Sequence, residues 1–301
     1  METIDCIFCS STNTPDPVVI RENGWEGHQC GRCRLIYISP RPSPAEIAQV
    51  YVENTAHTDL DNLARNELHR RLCARRAIRI LKKYIPAGRL LEIGAGAGFF
   101  LDEARRAGYS IAGIDLNKVQ AGKIVQNGIE CDTRPVAEAF PGESFDIIYH
   151  CDVTSHFYDP IEEFRLMASR LKPGGTLMFE TGNFGDIDRK WYRRIPSFQY
   201  PDHLFFLSAG NVPTLLKKSG FELLRTYRFS RGLEMRLTRQ SRSQGLANGQ
   251  PQAKGTPQVL AKVSAKHQVK SVVRYLLTHE IGGIFPASTS PQTMIVVARR
   301  A

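Results

Sequence analysis

The sequence lacks any long apolar run and any leader-like start. Its 301 residues contain no uninterrupted apolar stretch close to the ~18 residues that a membrane-spanning helix needs. The first five residues, Met1 to Asp5, are acidic rather than basic and do not resemble a signal peptide. The composition, with 42% hydrophobic and 23% charged residues, is that of a folded globular protein. We therefore expect a cytoplasmic protein without a transmembrane span.

Acidic residues are almost missing from the last 71 positions. Residues 231–301 hold eleven lysines and arginines but only two acids, Glu234 and Glu280, while the net charge of the whole chain is +10. Nine of the ten excess positive charges therefore lie in this segment, and residues 1–230 are close to neutral. A near-neutral body argues against a broad binding surface for the phosphates of a nucleic acid.

Four of the seven cysteines form two Cys-x-x-Cys pairs, Cys6 with Cys9 and Cys30 with Cys33, and 20 residues separate the pairs. This spacing is within the range expected for a four-cysteine zinc site. A redox pair of the thioredoxin kind would follow a strand in a βαβ unit, and an exported disulfide framework would need a signal peptide. The spacing therefore predicts a structural Zn²⁺ on these four thiolates, in a small zinc ribbon over residues 1–40.

Apolar runs alternate with amphipathic segments from residue 86 onward. The apolar runs lie at 89–93, 109–115, 145–150 and 176–181, and the helical segments between them at about 99–107, 117–127 and 160–171. This alternation predicts an α/β fold, in which helices cover both faces of a parallel sheet.

Further elements precede and follow this alternating region. They are a capped helix at 43–52 within a helical linker or cap at 41–85, a helix at 208–219, and strands at 221–229 and 293–298. We expect one large domain over 86–301, interrupted by a basic, flexible insertion at about 231–291.

The densest local signal is a glycine-rich turn after the first apolar run. Residues 91–99, Leu-Glu-Ile-Gly-Ala-Gly-Ala-Gly-Phe, end a strand, place three glycines at alternate positions and open a helix. Such glycines let a ligand approach the backbone closely. The spacing differs from the Gly-x-Gly-x-x-Gly of dinucleotide sites, and Glu92 would repel a pyrophosphate but not a cation. Asp115 ends the next strand, where a carboxylate can accept both hydroxyls of a ribose. The joint pattern predicts a nucleoside ligand.

These residues resemble the S-adenosylmethionine site of class I methyltransferases, through Glu92-x-Gly94-x-Gly96-x-Gly98 followed by Asp115. Other segments resemble the family in the same order, namely Ser144–Ile148 (fourth strand), Asp152–Pro160 (following loop) and Leu171–Leu177 (turn into the fifth strand). The resemblance covers about residues 86–230 plus the last strand. It implies a Rossmann-like sheet, parallel with one antiparallel strand and covered by helices.

The resemblance also implies which residues contact S-adenosylmethionine. They are Glu92, Gly94, Ala95, Gly96, Gly98, Phe99, Asp115, Leu116, Asp132 and Cys151. The glycine loop would face the methionine part of the cofactor, and Glu92 would support the loop or the ammonium group. Asp115 and Leu116 would hold the ribose and the adenine. Asp132 would border the adenine, and Cys151 would touch the methionine end.

Two histidines are candidates for a general base that deprotonates an acceptor hydroxyl. His156 follows the fourth strand and His203 follows the fifth, so both lie at carboxyl strand ends, where ligands of parallel sheets bind. A base helps when it reaches within about 3 Å of the hydroxyl. His203 is the first candidate, because Asp202 or another neighbour could orient its ring.

The aromatic segment 182–207 is predicted to form a lid and a wall of the substrate pocket. Within it, Trp191, Tyr200 and Asp202 are the expected substrate contacts. Its aromatic residues could instead belong to the core, and at least Phe205 and Phe206 are expected there.

The basic insertion combines a Ser, Gln, Gly, Asn and Pro-rich linker at 241–258 with a helix near 262–277. One face of this helix is apolar, with Val269, Val272, Val273, Leu276 and Leu277, and it lies opposite Lys262, Lys266, Lys270 and Arg274. The first interpretation is a helix that packs its apolar face on the domain and leaves its basic face in water. The alternative is a peripheral contact with a membrane surface or an anionic substrate.

The sequence therefore predicts an S-adenosylmethionine-dependent methyltransferase that acts on a small molecule or a carrier-linked acceptor, with oxygen as the favoured acceptor atom. A zinc ribbon beside this domain resembles bacterial small-molecule methyltransferases, many of them associated with sugar, polysaccharide or lipid modification. One alternative is an RNA methyltransferase that grips RNA through the ribbon. Residues 1–40 disfavour it, since they hold three arginines against five acids. The other alternative is a non-catalytic scaffold that binds the nucleoside only.

Overall fold

The computed structural model describes residues 1–9, 16–47, 60–237, 264–284 and 289–301. Helix begins at Pro44 within the predicted segment 43–52, and the rest of that segment lies outside the described residues. The predicted linker at 241–258 lies outside them as well. Within the described ranges, no helix is both long and apolar enough to cross a membrane.

The N-terminal region folds as three short antiparallel strands, β1 (Val18–Glu22), β2 (Trp25–Gln29) and β3 (Ile36–Ile38). Of the four cysteines of the predicted ribbon, Cys6 and Cys9 precede β1, and Cys30 and Cys33 lie in the turn between β2 and β3. Residues Ile36, Tyr37 and Ile38 are all buried. A strand that buries both of its faces must be covered from both sides, so the ribbon packs against the rest of the chain.

Eight strands follow. In chain order they are β4 (Arg89–Ile93), β5 (Ser110–Ile114), β6 (Glu130–Asp132), β7 (Phe145–Cys151), β8 (Leu171–Gly182), β9 (Phe205–Phe206), β10 (Phe221–Ser230) and β11 (Gln292–Arg300). Seven of them form one sheet in the order β10-β11-β8-β7-β4-β5-β6. The strand β11 runs antiparallel to both of its neighbours, whereas β4 to β8 pair in parallel. The expected Rossmann-like sheet with one antiparallel strand is confirmed.

The helices lie in the segments between the strands. They are α1 (Leu60–Leu81), α2 (Phe99–Arg106), α3 (Lys118–Gln126), α4 (Pro160–Arg170), α5 (Asn211–Lys218), α6 (Gly232–Leu237) and α7 (Ala265–Tyr275), the last continued by a π-helical turn at Leu276–Ile281. Capping residues fix two of the starts. The Asn117 side chain accepts from the amides of Val119 and Gln120, and Asp159 does the same for the start of α4, where Pro160 needs no partner for its nitrogen.

Alternate side chains of the central strands are buried in two separate hydrophobic cores. Leu91 of β4 and Ile148 of β7 belong to the core that includes Phe8 and Ile36 of the ribbon. Their chain neighbours Leu90 and Ile147 belong to the core under α1 and α2. Side chains of a strand point alternately to its two faces, so the ribbon and α1 cover opposite faces of one sheet.

The fourth strand of the ribbon sheet comes from the carboxy-terminal end of segment 182–207, since β9 pairs with β3 through Ile36 and Phe206. The burial of Phe205 and Phe206 agrees with the expectation that they are core residues. After β9 in the chain, the side chain of Asn211 donates to the carbonyl of Cys33 at 2.9 Å. The ribbon is therefore built into the body of the protein through its strand pairing.

The basic helix is present as α7, but its orientation differs from the first interpretation. Val269, Val272 and Val273 are exposed, whereas Ser271 and Tyr275 on the opposite side are buried. The prediction that the apolar face packs on the domain is wrong. Small polar side chains and one tyrosine make the contact with the body, and α7 packs against α1.

We predict that Gly27→Ala in β2 lowers the free energy of unfolding by about 1–3 kcal/mol, the usual cost of overpacking a filled interior. A Cβ atom at Gly27 would lie 2.1 Å from the Tyr200 hydroxyl oxygen and 3.0 Å from Cζ. Among the described atoms this hydroxyl has no hydrogen-bond partner, so Tyr200→Phe removes the obstruction without stranding a polar group. Urea unfolding should show the loss in Gly27→Ala and a partial recovery in the double variant.

Gly122→Ala is the matched control, because a Cβ atom there meets nothing within 4 Å and the position lies inside α3. Alanine favours a helix, so stability should stay equal or rise. Equal stabilities of Gly27→Ala and Gly122→Ala would contradict the packing of residue 200 against the ribbon.

Candidate active site

The glycine loop between β4 and α2 has the backbone conformation that its sequence predicts. Gly94, Gly96 and Gly98 have φ angles of 70°, 56° and 73°, in the left-handed region that favours glycine. A Cβ atom at Gly94 would lie 2.7 Å from Val153, whereas one at Gly96 would meet nothing within 4 Å. The loop is therefore closed on the Val153 side and open at Gly96, where a ligand can reach the backbone.

Asp115 joins the ends of two neighbouring strands. Its Oδ2 accepts from the Gly96 amide at 2.6 Å, and its Oδ1 accepts from the Asn117 amide at 2.9 Å. Leu116 beside it is 55% exposed, so an apolar side chain stands in solvent next to this carboxylate. The pair offers hydrogen-bond acceptors and an apolar contact at one place, which is what a ribose with its attached base requires.

The carboxylate of Asp132, at the end of β6, forms its hydrogen bonds within its own turn. Its carboxylate accepts from the Arg134 guanidinium at 2.6 Å and from the Arg134 amide at 2.9 Å. These interactions with Arg134 hold the pKa of Asp132 well below its usual range. The expected contact of Asp132 with an adenine stays a prediction, and the geometry gives the residue a role in shaping the turn.

Glu92 is a buried carboxylate on β4. Its Oε2 atom has no hydrogen-bond partner among the described atoms. Burial, together with the charge of Asp115, raises the pKa of Glu92. A buried acceptor of this kind is costly unless a donor or a cation approaches it. The site therefore favours a positively charged ligand next to the glycine loop.

A second group of acids lies at the ends of β7 and β8. Burial raises the pKa of Glu180 to about 7, although the Tyr149 hydroxyl donates to its Oε1 at 2.7 Å. Asp152, just past β7, has a φ angle of 55° and donates its amide to the Glu180 carbonyl. Cys151 and Asp152 remain accessible to solvent at this strand end. The sequence predicts Cys151 as a cofactor contact at this strand end. It does not indicate Glu180, which lies within an apolar run.

The basic insertion contributes charges to the same region. Glu234 of α6 is only 1% exposed and lies 3.4 Å from Arg231 and 3.3 Å from Arg274 of α7. Although the Asp152 side chain keeps access to solvent, the protein packed around this strand end raises its pKa, while the positive charges of Arg231 and of Arg70 on α1 act in the opposite direction. Sequence reasoning missed this network, since Arg274 is 40 positions from Glu234 and Arg70 and Asp152 are farther away along the chain.

The two candidate histidines lie side by side. The rings of His156 and His203 are 4.6 Å apart between centroids, and Nδ1 of His156 lies 3.1 Å from Oδ1 of Asp202. The three side chains offer nitrogen and oxygen atoms that lie within 4.8 Å of one another. The Asp202 carboxylate makes this hydrogen bond with His156, 46 positions away, whereas its expected role in orienting His203 stays a prediction.

The two aromatic residues expected in the substrate wall lie in the interior. Tyr200 is 2% exposed and packs against Gly27 of the ribbon, and Trp191 is 4% exposed in a small cluster with Ile187 and Met235. Their contact with a substrate stays a prediction. In this structure both residues hold the segment 182–207 against its surroundings.

The four cysteines of the predicted zinc site come together. Cys6 and Cys33 are 3.3 Å apart between Sγ atoms, and so are Cys9 and Cys30. All four Sγ atoms lie within 4.8 Å of one another. These distances are too long for a disulfide, at about 2.05 Å, and close to the ~3.8 Å between thiolates around one zinc ion. The hydrogen bond from Cys6 lowers the pKa of Cys33 to about 5, whereas burial raises the pKa of Cys9 to about 11.

Comparisons with known proteins agree with this geometry. A family described as "Methyltransferase domain" matches residues 65–226, more than half of the chain. The ubiquinone biosynthesis O-methyltransferase of Nitrosococcus oceani is 28% identical over 151 residues, which cover 45% of this chain and 64% of that protein. The protein of the same name from Ruegeria pomeroyi is 35% identical over 157 residues, which cover 44% of this chain and 62% of the relative. The chain thus spans less than two thirds of these curated relatives.

A solved structure from Galdieria sulphuraria, described as a sarcosine dimethylglycine methyltransferase, has the same fold. It superposes with a TM-score of 0.50 and covers 76% of this chain and 85% of its own, at 20% sequence identity. At this level of identity the similarity shows the shared architecture.

Proposed function

The chain belongs to the methyltransferase domain family, and on that basis we propose that it transfers a methyl group from S-adenosylmethionine to an oxygen atom of a small-molecule or carrier-linked acceptor. One observation carries the proposal: the 2.6 Å hydrogen bond from the Gly96 amide to Asp115, which joins the open glycine loop to a carboxylate at the next strand end. The names of the curated relatives support oxygen as the acceptor atom.

The residues at these strand ends fit S-adenosylmethionine. The loop of Gly94, Gly96 and Gly98 leaves its backbone open toward the ligand at Gly96, and Glu92 has a buried oxygen that a cationic group can satisfy. Asp115 and Leu116 fit the ribose and the adenine. Phe99 and Ala95 complete the loop, and Cys151 approaches from β7. When bound, S-adenosylmethionine supplies a methyl group that is already activated by its positively charged sulfur.

The protein side of the reaction is mainly positioning and proton removal. Asp202 holds the ring of His156 through Nδ1, so the Nε2 atom of a neutral His156 can accept a proton from an acceptor hydroxyl. His203 lies beside it with its ring at 70° to that of His156 and can share this role. The charge of His156 acts on the pKa of Asp152, so an ionised Asp152 can stabilise the imidazolium that forms. This arrangement resembles the carboxylate-oriented imidazole of other general bases.

The first test is cofactor binding by Gly96→Arg. The new side chain would occupy the open space at the loop, so calorimetry should show S-adenosylmethionine affinity falling by more than about tenfold. Gly174→Arg is the matched control, because Gly174 also has a positive φ, 71°, and open space around its missing Cβ. If Gly96→Arg binds as tightly as Gly174→Arg, the cofactor site is elsewhere.

The second test concerns the base. In His156→Ala, transfer of labelled methyl into a fractionated cell extract should fall by about 10²–10⁴-fold, while S-adenosylmethionine affinity stays unchanged. Asp202→Asn should reduce transfer less and shift its pH profile, because the amide still holds the ring but stabilises its charged form poorly. Full activity in His156→Ala together with loss in His203→Ala would transfer the role to His203. Cofactor binding without any labelled product would instead favour the non-catalytic scaffold.

The third test concerns zinc. Four thiolates close one tetrahedral site, so we expect about one zinc ion per chain after anaerobic purification. Cys30→Ser should lower the zinc content and the thermal midpoint, because Cys30 is fully buried next to β3. Cys73→Ser, outside the cluster, should leave the zinc content unchanged. A metal-free protein with an unaltered thermal midpoint would contradict a structural zinc.

A further inference from the structure

The helix α7 presents an apolar stripe to solvent. Val269, Val272, Val273 and Leu276 are 62%, 38%, 45% and 44% exposed, and their spacing of three, four and seven residues places them along one side of the helix. The opposite side is buried through Ser271 and Tyr275. The helix thus packs its polar side against the protein and exposes its apolar side to solvent, which is the reverse of the arrangement in an ordinary surface helix.

The apolar surface continues beyond the helix. Ile281 and Ile284 follow α7 and are exposed, and so are Leu233 and Leu237 of α6. The helix α6 contacts the turn at Leu276–Ile281, so these side chains lie on neighbouring elements. Apolar side chains that are exposed singly are normal, but a series on adjacent elements marks an interaction site.

The charge around the stripe selects the kind of partner. Residues 235–279 contain eight lysines and arginines and no acidic residue. Lys266 and Lys270 are exposed on α7 itself, at one border of the stripe. An apolar face bordered by lysines is suited to the interface of a bilayer, where the apolar side chains enter the headgroup boundary and the lysines meet anionic headgroups.

We propose that α7 and the adjoining part of α6 dock the protein on the surface of an anionic lipid bilayer. A second copy of the chain is a poorer occupant, because two copies joined through this stripe would bring their lysines together. A bilayer surface offers the opposite charge and an apolar layer at once. Each lysine near an anionic membrane adds to this attraction.

The inner side of the same segment reaches the candidate active site. Arg274 of α7 pairs with Glu234, and His279 of the following turn lies 3.3 Å from Cys73 Sγ on α1. Docking would therefore bring this side of the candidate site toward the lipid. If the proposed methyl transfer is correct, and this step rests on that proposal, the acceptor is an amphiphile that the protein reaches from the bilayer surface.

The test is co-sedimentation of the full chain with vesicles of phosphatidylcholine alone or with added phosphatidylglycerol. We expect binding that requires phosphatidylglycerol and weakens as salt is raised. The double variant Val269→Glu/Val273→Glu should bind at least about tenfold more weakly, because two carboxylates would enter the apolar boundary. Lys266→Glu/Lys270→Glu should lose a similar amount.

Val119→Glu/Val125→Glu is the matched control, since these valines are 57% and 54% exposed on α3. It should sediment like the unaltered protein. The proposal fails if phosphatidylglycerol vesicles do not retain the protein, or if both valine pairs lose binding equally. It also fails if Val269→Glu/Val273→Glu instead converts a dimer into a monomer in light scattering. Vesicle binding and S-adenosylmethionine calorimetry are separate readouts. Docking can therefore fail while the proposed function stands, and the proposed function can fail while docking stands.

Discussion

The carboxylate of Glu22, at the end of β1, holds the loop on which the candidate base depends. It accepts from the Ser197 hydroxyl at 2.6 Å and from the amides of Phe198 and Gln199 at 2.8 Å. Three donors on one carboxylate fix the backbone of that segment a few residues before Asp202. The contact links residues about 175 positions apart, so it exists only when the ribbon is folded and seated on the sheet. The cysteine cluster therefore contributes to the geometry of the imidazoles without approaching them.

Charge is distributed unevenly across the candidate site. Glu92 and Glu180 are buried carboxylates whose pKa values are raised by burial. Their desolvation costs free energy when the protein folds, and a cationic ligand at the glycine loop would offset part of that cost. Near Asp152, Arg231 and Arg274 flank the buried Glu234 and offset its charge. A cationic ligand is thus favoured near β4, where no arginine is paired with Glu92 among the described residues.

Features that depend on short stretches of chain were predictable from the sequence. The glycine loop, the two cysteine pairs and the alternation of strands and helices each lie within a few tens of residues, and the structure places them as expected. Contacts between distant segments were not predictable. The hydrogen bond between His156 and Asp202 and the burial of Tyr200 against Gly27 depend on how β9 pairs with the ribbon.

The orientation of α7 shows a second reason why sequence reasoning failed. An apolar helix face normally predicts the buried side, because burial of apolar surface stabilises the fold. Here Ser271 and Thr278 are small enough to let the helix lie close to its neighbours, and Tyr275 fills the remaining space. Periodicity identifies an apolar face but cannot tell whether protein or another apolar phase covers it. Glu180 was hidden for a related reason, since a single acid within an apolar strand does not alter the periodic pattern.

The position of β11 in the sheet has a consequence for the order in which the protein can be made. This strand lies between β8 and β10, and the hydrogen bond from the Gln292 amide to Asn183 spans 109 positions. On the ribosome, β8 and β10 are synthesised well before the strand that joins them. Until β11 arrives, both present open strand edges, and the basic insertion emerges during this interval. Completion of the sheet is therefore a late, long-range event. The nascent chain passes through a stage in which α7, with its outward apolar face, has been synthesised but the sheet of the catalytic domain is still incomplete.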